Sequence, residues 1–144
     1  MRVLFDTSVL VAAMVAAHPA HGRASAWLRK ARAGEVEFLI AAHTLAELFA
    51  VLTRLPTVPR ISPEVACRLV EENVASRAGV IALVAEDYRA LLRRWAGLGL
   101  AGGAVYDGLI ARAAERATAD RLLTLNVDHF RRAWPEGASI IAPP

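Results

Sequence analysis

The hydrophobic positions along the chain form two kinds of pattern, short continuous apolar runs and longer segments in which apolar residues recur at helical spacing. Continuous runs are typical of strands that are buried on both faces of a parallel sheet. Such strands are predicted at residues 2–5, 36–42, 79–85 and 121–125, with a short fifth at 138–141. Helices are predicted from about residue 8 to 17, 23 to 32, 44 to 55, 62 to 75, 88 to 95 and 105 to 117.

Strands and helices alternate along the chain, and this order predicts a central, mainly parallel sheet of four to five strands that is covered by helices. No repeat or composition shift divides the sequence, so residues 1–144 are predicted to form a single α/β domain. The helical patterns over about residues 44–75, where Ser62 is placed to cap the second helix, are predicted to form a helical arm. In such sheets ligands bind outside the carboxyl ends of the strands, where the strand order reverses.

Three acidic residues interrupt apolar patterns, and each has a structural explanation as well as a functional one. Asp6 follows the first strand and is placed to cap the next helix. Glu47 completes "TLAE", in which it and Thr44 form a potential capping box. Asp107 lies in the first turn of its helix, where the helix dipole favours a negative charge, yet its neighbours on the same face are apolar.

A functional explanation accounts for all three acids together. If the sheet is parallel, Asp6 at a strand end and Glu47 and Asp107 near helix N-termini converge on one edge of the fold. Carboxylates that are brought together need a cation to balance their charge. A site with only oxygen ligands selects Mg²⁺ or Mn²⁺ over zinc.

The composition adds a second clue, which is an excess of arginine. The chain has 17 basic residues against 14 acidic ones, and only one of the basic residues is lysine. Arginine favours contact with phosphate groups, although an Ala- and Arg-rich composition explains the same count. No single residue is selected as a phosphate contact, and the candidates are Arg23, Arg29, Lys30, Arg112, Arg116, Arg131 and Arg132.

Cysteine and histidine usage excludes several kinds of site. The single cysteine, Cys67, provides neither a disulfide nor a CxxC metal motif, which is consistent with a reducing cytoplasm. The histidines form no HExxH motif or other ligand set and are expected in surface or capping roles; they are His18, His21, His43 and His129. An acid within the first apolar run argues against a signal peptide, so we expect a soluble, cytoplasmic protein with no membrane segment.

Four stretches of the sequence resemble the PIN-domain ribonucleases, and in particular the VapC toxins of bacterial toxin–antitoxin pairs. They are "LFDTSVLVAA", "AAHTLAELFAVLTR", "VYDGLIARAA" and "DRLLTLNVDHF", and they follow the order of the family across essentially the whole chain. The resemblance implies a PIN-like three-layer α/β/α fold and an endoribonuclease that uses Mg²⁺ or Mn²⁺ to hydrolyse RNA. It also implies a small antitoxin protein as partner and a homodimer. Asp6, Glu47 and Asp107 match the first three acids of the family, and Ser8 matches the hydroxyl that often accompanies the first.

The chain departs from the family pattern at one position of the site. Many members carry a fourth acid two residues after the threonine that corresponds to Thr124, and this chain has Asn126 there. Either Asn126 acts as an outer or water-mediated ligand beside Thr124, or Asp128 supplies the missing charge. The departure leaves open a catalytically weakened or inactive PIN-like domain that acts as an RNA- or protein-binding module.

Other classes of phosphate-handling protein fit the sequence less well. A receiver-type domain would have adjacent acids after the first strand and a lysine after the last, whereas the only lysine is Lys30 in an early helix. An aspartyl phosphatase would have DxD after the first strand, but Ser8 occupies the second acidic position. No GxxxxGK[ST] motif is present, which excludes a P-loop nucleotide site at the level of the motif.

Overall fold

A five-stranded, entirely parallel sheet forms the centre of the fold in a computed structural model that describes residues 1–144. The order of its strands is β3-β2-β1-β4-β5. The strands are β1 (Arg2–Phe5), β2 (Glu37–Ala41), β3 (Gly79–Ile81), β4 (Arg121–Leu123) and β5 (Ile141–Ala142). The predicted strand count and parallel arrangement are therefore confirmed, although the third and fourth strands are shorter than their apolar runs.

Seven α-helices surround the sheet. They are α1 (Thr7–Met14), α2 (His21–Arg32), α3 (Ala42–Arg54), α4 (Pro63–Val70), α5 (Ala85–Gly97), α6 (Ala104–Arg116) and α7 (Val127–Ala133). One π-helical turn, Glu71–Ala75, continues α4, so the predicted helix over residues 62–75 is present with a change of winding. Ser62 caps α4 as predicted, since its Oγ accepts a hydrogen bond from the backbone N–H of Val65 (3.2 Å). None of the helices is long and apolar enough to cross a membrane.

The three layers follow from the alternation of side chains along the buried strands. In β1, Val3 and Phe5 pack with helices α1 to α4 on one face of the sheet, whereas Leu4 packs with α6 and α7 on the other. All three side chains are fully buried, as the continuous apolar run predicts. Helices α3 and α4, the predicted helical arm, contribute residues such as Leu48 and Ala66 to the hydrophobic core that contains Val3 and Phe5.

The strand order reverses at the boundary between β1 and β4. Chain connections from β1 to β3 build the sheet in one direction, and β4 and β5 extend it in the other. Phe5 and Leu123 are register partners at the carboxyl ends of these two strands, and the backbone N–H of Asp6 donates to the carbonyl of Leu123 (2.9 Å). Asp6 and Thr124 therefore follow neighbouring strands at the switch point, where open α/β sheets bind ligands.

Two features of the fold differ from the sequence prediction. Helix α7 was not predicted, because its seven residues contain only two buried positions, Phe130 and Ala133, and show little periodicity. The fifth strand was predicted at residues 138–141 but lies at Ile141–Ala142, because residues 138–140 form a turn. In α5, Leu91 and Trp95 are buried, whereas Tyr88 and Leu92 are exposed. The two exposed residues lie one helical turn apart on the opposite side of the helix.

Helix α6 approaches α5 closely at Gly108, and this contact generates a stability prediction. A Cβ atom at Gly108 would lie 2.5 Å from Cη2 of Trp95 and 2.9 Å from Cδ1 of Leu91. We expect Gly108→Ala to lower the free energy of unfolding by about 1–2 kcal/mol, because overpacking outweighs the gain in helix propensity. Urea denaturation measures the change, and Gly22→Ala in α2, where a Cβ meets no atom within 4 Å, is the matched control. Equal stability of the two variants would contradict the close contact.

Candidate active site

A cleft of about 520 Å³ lies at the carboxyl edge of the sheet, beside the switch point. All three predicted acids line it, although they come from distant parts of the chain. The lining residues are Asp6, Thr7, Ser8, Val11, His18, Glu47, Val51, Asp107, Leu125 and Asn126. The sheet and the helices α1, α3 and α6 therefore bring together the residues that the sequence analysis grouped.

Asp6 is held by hydroxyl groups and does not cap α1. Its carboxylate is 3% exposed and accepts hydrogen bonds from Oγ1 of Thr124 (2.8 Å) and Oγ of Ser8. The side chain makes no capping bond to the helix backbone, although Asp6 occupies the N-cap position. The capping explanation of Asp6 is therefore wrong, and burial of the carboxylate needs another reason.

The two hydroxyls connect Asp6 to the segment that follows β4. Oγ of Ser8 accepts a hydrogen bond from the backbone N–H of Leu125 (3.0 Å). Oγ1 of Thr124 accepts one from the backbone N–H of Asn126 (3.0 Å). Each hydroxyl thus accepts from the backbone and donates to Oδ2 of Asp6, so two anchored donors orient this oxygen.

Glu47 does not have the helix-capping role that the sequence suggested. Helix α3 begins at Ala42, so Thr44 lies inside the first turn, and neither Thr44 nor Glu47 occupies the position that a capping box requires. Nε2 of His43 lies 3.2 Å from Oε2 of Glu47, one helical turn away. This ion-pair contact lacks hydrogen-bond geometry, and Oε2 is buried without a hydrogen-bond partner. The capping-box prediction is wrong because the helix starts earlier than "TLAE" suggests.

Asp107 lies in the first turn of α6, as predicted. Burial raises the pKa of its carboxyl from 3.8 to about 6, and the negative charges of Asp6 and Glu47 contribute to the same shift. The imidazole of His129 opposes this increase, since a positive charge there favours the carboxylate. A carboxyl group with such a pKa is ionised near neutral pH but takes up a proton in mildly acidic solution, and a nearby cation would favour the ionised form.

The other two acids respond to the same environment. Burial raises the pKa of Asp6, and the hydroxyls of Ser8 and Thr124 partly counteract that increase. Burial also raises the pKa of Glu47, followed by repulsion from Asp6, while His43 acts in the opposite direction. The cleft is thus a region of concentrated negative charge in which the ionised acids repel one another.

The ligand atoms of the cleft are chemically suited to a hard divalent cation, but they do not surround a metal position. The predicted residues that line the cleft offer the oxygens of three carboxylates, one amide and the hydroxyl of Ser8, which suits Mg²⁺ or Mn²⁺. Oε2 of Glu47 makes no hydrogen bond, although Nε2 of His43 lies 3.2 Å from it. No three side chains of Asp, Glu, His or Cys are already arranged to hold a metal together. Sharing one ion therefore needs adjustment of the acidic side chains.

The structure separates the two candidates for the fourth ligand. Asn126 lines the cleft, and its backbone is tied to Thr124. Asp128 is exposed in the first turn of α7 and is not part of the lining. The placement favours Asn126 beside the three acids, and the role of either side chain as a ligand stays a prediction.

None of the predicted RNA-contacting basic residues lines the acidic cleft. Two of them stabilise the fold elsewhere, since Nε of Arg112 and Nε of Arg116 lie 2.9 and 3.1 Å from the buried carboxylate of Asp87. Arg112, Asp87 and Glu115 also line a second cavity of about 210 Å³ between α5 and α6, where their charges are paired. The charged residues that line this second cavity form a structural ion-pair network.

Three histidines have positions that the sequence analysis missed. His18 lines the cleft, His43 contacts Glu47, and the charge of His129 acts on Asp107. Nδ1 of His18 accepts a hydrogen bond from the backbone N–H of Ala20 (3.1 Å), which is a contact within the turn and not a helix cap, since α2 has no side-chain cap. The contact between His43 and Glu47 could have been predicted from the sequence, because residues four apart in a helix lie on the same face.

Fold and site together define a class of protein, namely a small three-layer α/β/α domain with a carboxylate-lined cleft at the switch point of a parallel sheet. Comparison with known proteins makes the class specific. Residues 3–134 match the sequence profile of the PIN domain. Ribonuclease VapC27 of Mycobacterium tuberculosis is 37% identical over 115 residues, which are 80% of this chain and 78% of the relative. Ribonuclease VapC40 of the same species is 38% identical over 119 residues, covering 83% and 82%.

The chain therefore belongs to the PIN-domain family, and the resemblance stated from its sequence motifs is confirmed. Solved structures support the fold. A chain in the crystal structure of VapBC2 from Rickettsia felis, bound to a DNA fragment from their promoter, has a TM-score of 0.63 and 23% identity and covers 92% of each chain. FitAcB from Neisseria gonorrhoeae gives a TM-score of 0.62 at 23% identity, covering 91% of this chain and 92% of that one.

The raised pKa of Asp107 predicts how stability depends on pH in metal-free protein. Because its pKa rises from 3.8 to about 6, the folded chain binds more protons than the unfolded chain between these values. The contribution of Asp107 to stability therefore decreases as the pH rises from 4 to 6. At pH 7.5, we expect Asp107→Asn to be more stable than the wild type by about 1 kcal/mol, after allowance for solvent screening.

Urea denaturation in the presence of a chelator, at about pH 4 and about pH 7.5, measures this difference. The advantage of the variant should shrink at the lower pH, where the wild-type carboxyl is protonated. Asp128→Asn is the control, since it changes an exposed acid outside the cleft and should alter stability by no more than about 0.5 kcal/mol. A less stable Asp107→Asn variant at the higher pH would contradict the electrostatic description of the cleft.

Proposed function

We propose that this protein is a metal-dependent endoribonuclease, the toxin of a type II toxin–antitoxin system, and that Asp6, Glu47 and Asp107 form its catalytic centre. One observation carries the assignment of the site: three acids that are far apart in sequence line one cleft at the switch point of the sheet. Membership of the PIN-domain family and similarity to ribonucleases VapC27 and VapC40 support the reaction class.

The proposed cofactor is Mg²⁺ or Mn²⁺, held by the carboxylates of Asp6, Glu47 and Asp107. The chemistry that such an ion supplies when bound is a more acidic water and neutralisation of charge on the scissile phosphate. Asn126 would contribute an outer or water-mediated oxygen. Ser8 and Thr124 orient the carboxylate of Asp6, because both donate hydrogen bonds to it.

The three acids contribute to the site through their negative charge and their positions in the cleft. Glu47 and Asp107 have raised pKa values in part because Asp6 is close, so a cation that enters the cleft relieves repulsion already present. The carboxylates then balance the positive charge and fix the site relative to the sheet. Arginines on the surrounding surface would attract the RNA backbone, and this attraction should weaken as the salt concentration rises.

A small antitoxin protein and a second copy of the chain are the proposed partners. The solved relative from Rickettsia felis is the VapBC2 complex, which supports a protein partner of this kind. Exposed apolar residues in the helical arm, Phe49, Val58 and Val65, suit contact with an antitoxin segment. Tyr88 and Leu92 lie one turn apart on the exposed side of α5, and they and the exposed Val84 just before the helix suit a homodimer contact.

Replacement of the carboxylate of Asp6 or of Asp107 should abolish the cleavage of RNA. We expect Asp6→Asn and Asp107→Asn to reduce RNA cleavage by more than the roughly 10- to 100-fold that loss of an outer-shell partner costs. Purified protein is incubated with total RNA in Mn²⁺ or Mg²⁺, and the cut ends are mapped. A chelator should stop the reaction of the wild type.

Asp120→Asn provides the matched control for these variants. Asp120 is exposed at the opposite edge of the sheet, where it accepts a hydrogen bond from the backbone N–H of Arg2 (2.7 Å), and its variant should keep wild-type activity. Absence of metal-dependent cleavage by the wild type would overturn the proposal. That outcome would favour an RNA- or protein-binding module without catalysis.

The position of the fourth ligand generates a separate prediction. Asn126→Asp adds a carboxylate to the cleft lining and should tighten Mn²⁺ binding by about tenfold, since affinity follows the number of charged ligands. Asp128→Asn should leave Mn²⁺ binding and cleavage unchanged because Asp128 lies outside the lining. Isothermal titration calorimetry measures both affinities. Loss of Mn²⁺ binding in Asp128→Asn would instead assign the missing charge to Asp128.

A further inference from the structure

The acidic cleft offers few groups that can hold a nucleic acid. Three carboxylates line it, and no arginine or lysine does. The oxygens of a phosphodiester are negatively charged acceptors and are bound in proteins by N–H and O–H donors. Only two side chains of the lining carry N–H donors, His18 and Asn126. The hydroxyl of Ser8 already donates to Asp6, and Oγ1 of Thr7 is buried. Asn126 lies beside the predicted metal ligands, so His18 is the remaining donor.

One nitrogen of the His18 ring is already occupied by the backbone. Nδ1 accepts a hydrogen bond from the N–H of Ala20 (3.1 Å), and an accepting nitrogen carries no proton. A neutral imidazole has one N–H, which is therefore on Nε2. No protein group accepts a hydrogen bond from this atom, although the residue lines the cleft. Nε2 is thus an oriented donor without a partner.

The turn that carries His18 is fixed to the helix that follows Asp6. The N–H of His18 donates to the carbonyl of Val15 (2.9 Å), and the N–H of His21 donates to the carbonyl of His18 (2.9 Å). Nδ1 of His21 also donates to the carbonyl of Ala12 in α1 (2.9 Å). These bonds hold the turn against α1, so the His18 ring keeps a defined position relative to Asp6.

We infer that Nε2 of His18 donates a hydrogen bond to a phosphodiester oxygen of the RNA that occupies the cleft. The inference rests on the proposed ribonuclease function and adds a substrate-binding residue to it. A role as metal ligand is disfavoured, since the acids and Asn126 supply oxygen ligands and His18 belongs to no group arranged to hold a metal.

Two substitutions of His18 separate substrate binding from support of the turn. An asparagine amide lies near the position of Nδ1 and can still accept from the N–H of Ala20, but it does not reach the position of Nε2. A glutamine amide reaches the position of Nε2 and provides an N–H donor there. His18→Asn therefore removes the proposed contact and keeps the turn, whereas His18→Gln keeps the contact.

Cleavage of total RNA in Mn²⁺ is measured at low and at high RNA concentration. We expect His18→Asn to cleave about tenfold more slowly at low RNA concentration, through loss of one hydrogen bond to a charged group, and to regain most of the rate at high concentration. His18→Gln should stay close to the wild type at both. Calorimetry without RNA should give the wild-type Mn²⁺ affinity for both variants.

Pro19→Ala is the control for disturbance of the turn, since Pro19 is an exposed neighbour of His18 and its variant should cleave at the wild-type rate. Normal cleavage by His18→Asn with slow cleavage by His18→Gln would show that His18 only supports the turn. Loss of Mn²⁺ affinity in both variants would show that it binds the metal, and either result would overturn the inference. If the wild type fails to cleave RNA in Mn²⁺, the ribonuclease proposal itself fails, and this inference fails with it.

Discussion

Burial of one carboxylate at the switch point of the sheet is the constraint on which the site depends. Asp6 follows β1, is 3% exposed, and is preceded by three strand residues, Val3, Leu4 and Phe5, that the fold buries on both faces of the sheet. A buried ionised group is costly unless hydrogen bonds or opposite charges compensate for lost hydration. Ser8 and Thr124 supply the hydrogen bonds, and both are connected to the backbone after β4. The same interactions therefore join the two strands and orient the acid.

Hydrogen bonds alone leave the electrostatics of the cleft unbalanced. Glu47 and Asp107 come from α3 and α6 and add charge next to Asp6, and burial raises the pKa of all three carboxyl groups. Neither of the capping roles suggested for Asp6 and Glu47 is present, whereas Asp107 does lie in the first turn of α6, where the helix dipole favours a negative charge. Such an arrangement reduces the stability of the empty fold and is typical of a site that binds a cation.

Much of the fold could be predicted from the sequence because its strands are buried on both faces and its helices are strongly periodic. The convergence of Asp6, Glu47 and Asp107 followed from a general rule about parallel sheets. Helix α7 was missed because a seven-residue helix with two buried positions has too little periodicity to detect. The capping box failed because α3 begins at Ala42, two residues before "TLAE", a difference that local sequence signals do not resolve. The position of His18 depends on tertiary packing of a turn and has no sequence signature.

The central claim is that the three acids bind one divalent ion in this cleft, and anomalous diffraction tests it most directly. Crystals of the wild-type protein grown with Mn²⁺ and measured at the manganese absorption edge should show an anomalous peak among the carboxylates of Asp6, Glu47 and Asp107, with ligand oxygens near it. The account predicts that this peak is absent from crystals of Asp6→Asn. Ordered manganese elsewhere on the protein, with none between these acids, would contradict it.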